Sequence, residues 1–423
     1  MVSPQNQIII SHPTGNMNTR AAAVGFRKRQ LLFKFYTCIA CFENDFLYRL
    51  SNIPFLKEFR RRVFDSSLKT FTKTFPWFEL GRQISIKFKL RKLIKHETGI
   101  FSVDRIYATL DNHLVNKIKK YHKDIAAVYA YEDCALYTFR KAKEYKKLCI
   151  YDLPIGHWRS LRELLSIEQA RNSQWAITLG GFNDSDEKLK RKDEELLLAD
   201  KIYVASTFTK RTLELYPRKL NDIEVIPYGF PPINENRVYL PFNGRRIKVL
   251  FIGGLSLRKG IPYLFESVKG LEDKIDLTVV GKGDVESCPI LKEELRKVNY
   301  ISTLPHDAIL KLMSEHDLFI FPSLFEGFGL VITEAMSQGT PVITTERTCA
   351  PDIITSGKDG WIVKAGSHEP IKELLKQFIE NPYILHKVGR NALRTASLRP
   401  WSRYEQELAI SLETFINEHL QCN

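Results

Sequence analysis

The chain has 423 residues, 44% hydrophobic and 26% charged, with a formal net charge of +14. That length exceeds one ordinary core and suits two domains of roughly 150–200 residues each, and the composition excludes a disordered or fibrous chain. No run approaches the roughly 20 apolar residues of a membrane-spanning helix, and the opening MVSPQNQIIISHPTGN lacks the basic head and long apolar stretch of a signal peptide.

The first element is QIIIS (Gln7–Ser11), a short buried strand by its apolar run. From Arg20 to Lys95 come 18 lysines and arginines against five acidic residues, a net +13 that holds nearly the whole excess. FRKRQLLFKF (26–35) and FLKEFRRRVF (55–64) mix that charge with aromatic and aliphatic residues. Such a surface suits an anionic membrane, a phosphorylated acceptor or nucleic acid, with a plain solvated face as the alternative. Amphipathic Phe/Leu spacing favours the membrane, and no common nucleic-acid module is present. Cys38 and Cys41 form a lone CxxC without the second pair that a metal site needs, so they read as buried thiols in a reducing cytoplasm. AAVYA (Ala126–Ala130), KLCIYDL (Lys147–Leu153) and KIYVAS (Lys201–Ser206) follow as buried strands, alternating with helical patterns such as EDCALYTFRKAKEYKK and IEQARNSQWAITLGG.

Pro227, Pro231, Pro232 and Pro241 interrupt the pattern and mark a linker. Beyond it IKVLFIGG, IDLTVVGKG, YISTL, LFIFPS and PVITTE read as strands, and PYLFESVKGL, HDAILKLMSEH and LVITEAMSQG as helices between them. Strand–helix repetition implies α/β architecture with parallel sheets and right-handed crossovers. The expected division is an N-terminal domain over 1–229, a linker over 230–244, a second domain over 245–398 and a helical tail over 399–423 that crosses back.

In open parallel sheets ligands bind at strand carboxyl ends, beside helix N-termini. After KVLFI comes Gly253-Gly254-Leu255-Ser256-Leu257-Arg258-Lys259-Gly260, where glycines admit a close backbone and two cations suit a diphosphate. It is neither a P-loop nor GxGxxG. After DLFIFPS, Gly327-Phe328-Gly329 predicts a tight turn and Leu330–Gln338 a helix, with Glu326 in the loop and Glu334 about one turn in. A carboxylate repels phosphate but accepts hydrogen bonds from hydroxyls. Two carboxylates flanking a phosphate site fit a ligand with phosphates in the middle and sugars at both ends. Asp184-Ser185-Asp186 is a DxD of the kind that holds a metal elsewhere, but it sits before a helix, where Asp and Ser cap.

Glu326-x7-Glu334 within PSLFEGFGLVITEAMSQGTPVI resembles the EX7E signature of retaining glycosyltransferases of the GT-B type, family 4. GGLSLRKGIPYLFESV, VVGKGD, LPHDAILKLMSEHDLFIFPS and APDIITSGKDGWIV follow that family's order, and SHPTGNMNTRAA is similar to its first strand and acceptor-side glycine loop. The resemblance implies two Rossmann-like domains facing a cleft, a nucleotide-diphosphate sugar donor, a carbohydrate or lipid-linked acceptor, no cofactor and no metal. Glu334 would hold the donor ribose, and Glu326 the hydroxyls of the transferred sugar. Phe328, Gly329 and Leu330 would give backbone contacts, Lys259 and Arg258 would neutralise the diphosphate, and Gly253 and Gly254 would admit it. Gly281 and the loop of Thr303 and Leu304 would lie near the base, and Gly15 and Asn16 on the acceptor side. Many members have Gly-Arg where this chain has Gly253-Gly254. They also have an N-domain histidine where this chain has Tyr131-Glu132-Asp133, which leaves His157 and Asp152 as the nearest candidates. The family and the basic N-terminal half point to cell-surface polysaccharide or lipopolysaccharide synthesis, in the cytoplasm or on the inner membrane face. A catalytically silent sugar-nucleotide-binding module and a nucleic-acid-directed enzyme are the alternatives.

Overall fold

The computed structural model describes residues 6–43, 45, 48, 62–180 and 182–421. The strands in chain order are β1 (Ile8–Ser11), β2 (Leu32–Thr37), β3 (Cys41–Phe42), β4 (Val63–Phe64), β5 (Thr72–Thr74), β6 (Ala127–Tyr131), β7 (Leu148–Leu153), β8 (Lys201–Val204) and β9 (Asp222–Val225). Six more follow the proline-rich stretch: β10 (Ile247–Ile252), β11 (Ile275–Val280), β12 (Asn299–Ile301), β13 (Leu318–Phe321), β14 (Val342–Thr345) and β15 (Trp361–Val363). Among the described residues they form two large sheets, ordered β5-β2-β1-β6-β7-β8-β9 and β12-β11-β10-β13-β14-β15, besides a short β3-β4 pair. Neighbouring strands pair in parallel, as where Ile8–Ser11 lies in register with Ala127–Ala130. Helices cover the faces, so the central strands are buried on both sides and read as unbroken apolar runs.

Each sheet reverses direction once. In the first the chain lays strands outward from β1 on one side and then from β6 on the other; in the second the reversal falls between β10 and β13. A crevice opens at the carboxyl ends of the strands at such a reversal. The residues just past β1, β6, β10 and β13 therefore hold the privileged positions.

The helix Trp401–Gln421 lies along the helix Met17–Lys28. Gly25 makes that contact close, since a Cβ there would sit 2.3 Å from the carbonyl oxygen of Glu405. Lys28 pairs with Glu405 at 2.6 Å, and Arg29 donates to Glu413 at 2.5 Å. No regular element occupies 230–244 apart from the bridge at Phe230 to Pro400.

One expectation needs correction. FRKRQLLFKF is not a membrane-facing amphipathic segment: Phe26, Leu31, Leu32 and Phe35 are buried in the core beneath the end of the first helix and along β2. Alternation with Arg and Lys at the rim of a strand imitates an amphipathic surface. In FLKEFRRRVF, residues 55–61 lie outside the described residues. Cys38 and Cys41 are buried free thiols, and burial pushes Cys38 up to about 12. Among the described residues no helix is long and apolar enough to cross a membrane.

Candidate active site

The turn after β10 and the turn after β11 lie against each other. The Gly253 N–H donates to Val280 O at 3.0 Å, and a Cβ on Gly281 would meet the Gly253 carbonyl oxygen at 1.8 Å. Gly260 has φ +71° and caps the short Leu257–Lys259 turn before the helix Ile261–Val268. A Cβ there would lie 1.9 Å from Pro322 O, so glycine is what allows the Arg258–Lys259 turn to lie on the end of β13.

That packing delivers both cations to Glu326. Arg258 Nη1 lies 3.1 Å from Glu326 Oε1 and donates to Phe325 O at 2.8 Å; Lys259 Nζ bonds the same carboxylate oxygen, as does Ser323 Oγ at 3.2 Å. The Glu326 and Lys259 side chains are only 10% and 15% exposed, so the pair is well shielded from water. Burial lowers the Lys259 pKa and the Glu326 carboxylate opposes that shift. Charge pairs in such surroundings interact more strongly than in water. The two cations and Ser323 thus converge on one oxygen of a buried carboxylate.

Gly329, with φ +92°, caps the helix Leu330–Ser337, and its carbonyl accepts from the Ile332 N–H at 2.9 Å. Phe328 is buried against the Tyr228 ring at 4.8 Å, and its carbonyl accepts from Cys349 N–H at 2.9 Å. Leu330 is half-buried against the core. Glu334 has different neighbours from Glu326: its Oε1 lies 3.9 Å from His306 Nδ1. Burial raises the Glu334 pKa, and His306 works against that. Thr303 and Leu304 lead directly into His306, so that loop meets Glu334, and the Gly281 N–H donates to Ile301 O at 3.0 Å. Tyr300 adds a bond from its hydroxyl to Gly281 O at 3.2 Å. The two glutamates therefore have different partners, cations for Glu326 and a histidine for Glu334.

The Glu326 loop also touches the first sheet's half of the molecule. Gly327 O accepts from Ser206 Oγ at 2.6 Å and Thr209 Oγ1 at 2.9 Å. Phe325 packs edge-on to Phe208 at 5.3 Å. A Cβ on Gly327 would lie 1.8 Å from Pro154 O, just past β7.

At the first sheet's reversal a cavity of about 280 Å³ is lined by His12, Asn16, Tyr131, Glu132, Asp133 and Pro154, among others. His12 directly follows β1. Its Nδ1 accepts from the Thr14 and Gly15 N–H groups, each at 3.1 Å, which fixes the proton on Nε2. Burial, with Arg62 adding, drives its pKa down to about 3, so the ring is neutral. Gly15, with φ +55°, and Asn16, which precedes the helix Met17–Lys28, complete this turn. Tyr131 stands edge-on to His12 at 4.8 Å.

The sequence reading looked for a histidine after later strands and missed His12. The signal was its place one residue past the first strand of the first half, the counterpart of Gly253 in the second. His157 does not serve: it offers no exposed surface, its N–H donates to Thr212 Oγ1 at 2.8 Å, and its Nε2 lies 3.3 Å from Asp193. Asp193 also holds Trp158 and Arg159, so this cluster pins the start of the helix Trp158–Arg171. Asp152 does not line the cavity either. It accepts from Tyr129 at 2.7 Å in a buried nest with Tyr131, Tyr203, Tyr228 and Tyr404, and burial raises it to about 7. The DxD is a helix cap: Ser185 Oγ accepts from Lys188 N–H at 3.2 Å. His96, Glu97 and Asp184 place ligand atoms within 4.8 Å of one another, but Lys188 already puts positive charge there, 2.9 Å from Asp184 and 2.7 Å from Asp104.

Residues 232–395 match the family Glycosyl transferases group 1. That stretch contains every donor-side residue named above. The chain is 28% identical over 179 residues to a capsular polysaccharide biosynthesis glycosyltransferase, CapM, of Staphylococcus aureus, covering 40% of this chain and 46% of CapM. It is 26% identical over 230 residues to an MMP alpha-(1->4)-mannosyltransferase of Mycolicibacterium hassiacum, covering 51% and 53%. The matches thus span about half the length of these relatives. Among solved structures, sucrose-phosphate synthase from Thermosynechococcus elongatus superposes with TM-score 0.63 at 15% identity, over 99% of this chain and 100% of that one. HepE from Anabaena, in complex with UDP and glucose, gives 0.60 at 16%, again over 99% and 100%. The fold is GT-B, two Rossmann-like domains.

Proposed function

We propose that the chain transfers a sugar, with retained anomeric configuration and no divalent metal, from a nucleotide-diphosphate sugar to a carbohydrate or lipid-linked acceptor. The observation that carries this reading is the cluster of Arg258, Lys259 and Ser323 on Glu326 at the second sheet's reversal. The match over residues 232–395 supports it, as does the fold shared with HepE, whose structure contains UDP and glucose. CapM and an amylovoran biosynthesis glycosyltransferase of Erwinia amylovora among the relatives support a role in surface polysaccharide synthesis. The expected place of work is the cytoplasmic face of the membrane, to which the basic residues of 20–95 would be drawn.

In this reading the diphosphate draws Arg258 and Lys259 from Glu326, and the freed carboxylate accepts hydrogen bonds from the donor sugar. Glu334 takes the ribose hydroxyls, and the first N–H groups of Leu330–Ser337 face the phosphates. As the anomeric C–O bond breaks, its electron pair goes to the diphosphate, where the two cations stabilise the growing charge. The acceptor oxygen bonds to the anomeric carbon on the same face, and its proton passes to the leaving phosphate oxygen.

The test is nucleotide release from a panel of UDP-, GDP- and ADP-sugars by the full chain and by Glu326→Gln and Lys259→Ala. Losing one charge-stabilising group typically costs about 10²–10³ in rate. The expected result is release from at least one donor and a loss of that size in both variants. Equal release by all three proteins would remove Glu326 and Lys259 from the reaction.

A further inference from the structure

The Trp77–Lys87 helix carries an uncovered apolar stripe. Trp77, Ile84 and Phe88 are spaced by seven and four residues, which puts them on one face. The Phe88 N–H still bonds Ile84 O at 3.0 Å, so it belongs to that face. They are 70%, 55% and 65% exposed, and Leu90 just beyond is 45% exposed. In a chain that buries Phe26, Phe35 and Phe139 completely, four neighbouring large side chains in water stand out.

The charge around the stripe has one sign. Residues 73–95 hold seven lysines and arginines and a single acid, Glu79. Glu79 is buried and paired with Arg62 at 2.9 Å. Among the described residues, Lys89, Arg91, Lys92 and Lys95 make no ion pair. Protein interfaces are depleted in lysine, whereas a bilayer surface pairs lysine-rich polar zones with inserted Trp, Phe and Ile.

We propose that this helix, with the Arg91–Ile94 turn that follows it, docks the chain on an anionic lipid bilayer. The stripe enters the headgroup–acyl boundary and the lysines and arginines meet lipid phosphates. Within the basic 20–95 region that the sequence points to, the surface is thus the 77–95 segment and not the buried 26–35 stretch. The location also suits substrate delivery, a point that rests on the sugar-transfer reading. Arg82 and Ile86 of the same helix line a cavity of about 440 Å³ with Thr14, Arg62 and Tyr107. Tyr107 and Val103 also line the His12 cavity, so the two cavities adjoin on the side of the molecule that would face the bilayer.

The experiment is co-sedimentation of the full chain with vesicles of phosphatidylglycerol and phosphatidylethanolamine, or of phosphatidylcholine alone. The wild type should bind the anionic vesicles at least tenfold more tightly than the neutral ones. A Trp77→Ser/Phe88→Ser pair should lose at least tenfold, and Lys89→Gln/Lys92→Gln/Lys95→Gln should lose anionic preference. These side chains are exposed, and unchanged thermal midpoints would confirm intact folds. Binding by the variants equal to wild type overturns the proposal, as does wild-type preference for a DNA duplex over anionic vesicles. Vesicle binding is read without any donor, so its failure and the failure of sugar transfer are separate results.

Discussion

If the chain transfers sugar as proposed, Gly327→Ala should disable it by holding its two halves apart. The added Cβ would stand 1.8 Å from Pro154 O and 2.7 Å from Ile155 Cα, both backbone atoms that cannot swing away. Ordinary contact begins at 3.4 Å, so the Glu326 loop and the strand end past β7 must separate by about 1.6 Å. That movement also stretches the bonds from Ser206 and Thr209 to Gly327 O. Two such bonds are worth about 1 kcal/mol each, and overpacking adds roughly 1–3 kcal/mol. Misplacing reacting groups by about 1 Å can cost about 10²-fold in rate. Arg258 and Lys259 sit on the second domain alone, so donor affinity measured by calorimetry should change far less than turnover does. Turnover of bound donor should fall about 100-fold, and small-angle scattering should show a larger radius of gyration. Wild-type turnover with unchanged scattering would refute the contact's role in closing the cleft.

Asp152 makes stability depend on pH. Between its unfolded value of 3.8 and its folded value of about 7, the native chain keeps a proton that the unfolded chain has lost. Raising the pH across that window therefore removes stability, by up to roughly 4 kcal/mol. Denaturation of Asp152→Asn should show a flatter profile over this range and greater stability than wild type at pH 8; parallel profiles would contradict it. His12→Ala takes the acceptor from the Thr14 and Gly15 N–H groups and should destabilise by about 1–3 kcal/mol in urea. It should also raise the acceptor KM while leaving donor affinity unchanged, and an equal effect on both substrates would mean that His12 only supports the fold.

Much of the second domain was legible because its strands are unbroken apolar runs ending in glycine or proline. The runs IKVLFIGG, IDLTVVGKG and LFIFPS became β10, β11 and β13, and the helix begun at Leu330 lay where the Gly327–Gly329 turn predicted it. The short strands β5 and β9 were missed, since three or four residues of mixed polarity carry no period of their own, and β15 because three apolar residues are too few to show one. β2 was misread because Lys34 interrupts its apolar run. On the donor side the sequence could name Glu326, Arg258 and Lys259 but not their mutual contact, which depends on how closely Gly260 brings one turn to Pro322. The first domain's site was harder. Asp152 near the end of β7 and His157 beyond it carry chemistry-bearing side chains, yet neighbouring tyrosines and Asp193 absorb them. Only sheet order shows that β1 and β6 are adjacent, and with that knowledge His12 becomes the residue to watch.

The closing helix has a consequence for how the chain is made. Trp401–Gln421 covers the helix Met17–Lys28, and Tyr404 completes the buried nest around Asp152. Some 370 residues separate the two helices in the chain. At roughly 5–20 residues per second, the first helix waits about 20–75 s for its cover to emerge from the ribosome. The face at Gly25 that Glu405 covers is bare throughout that interval, and a chain cut short anywhere before residue 401 leaves it open.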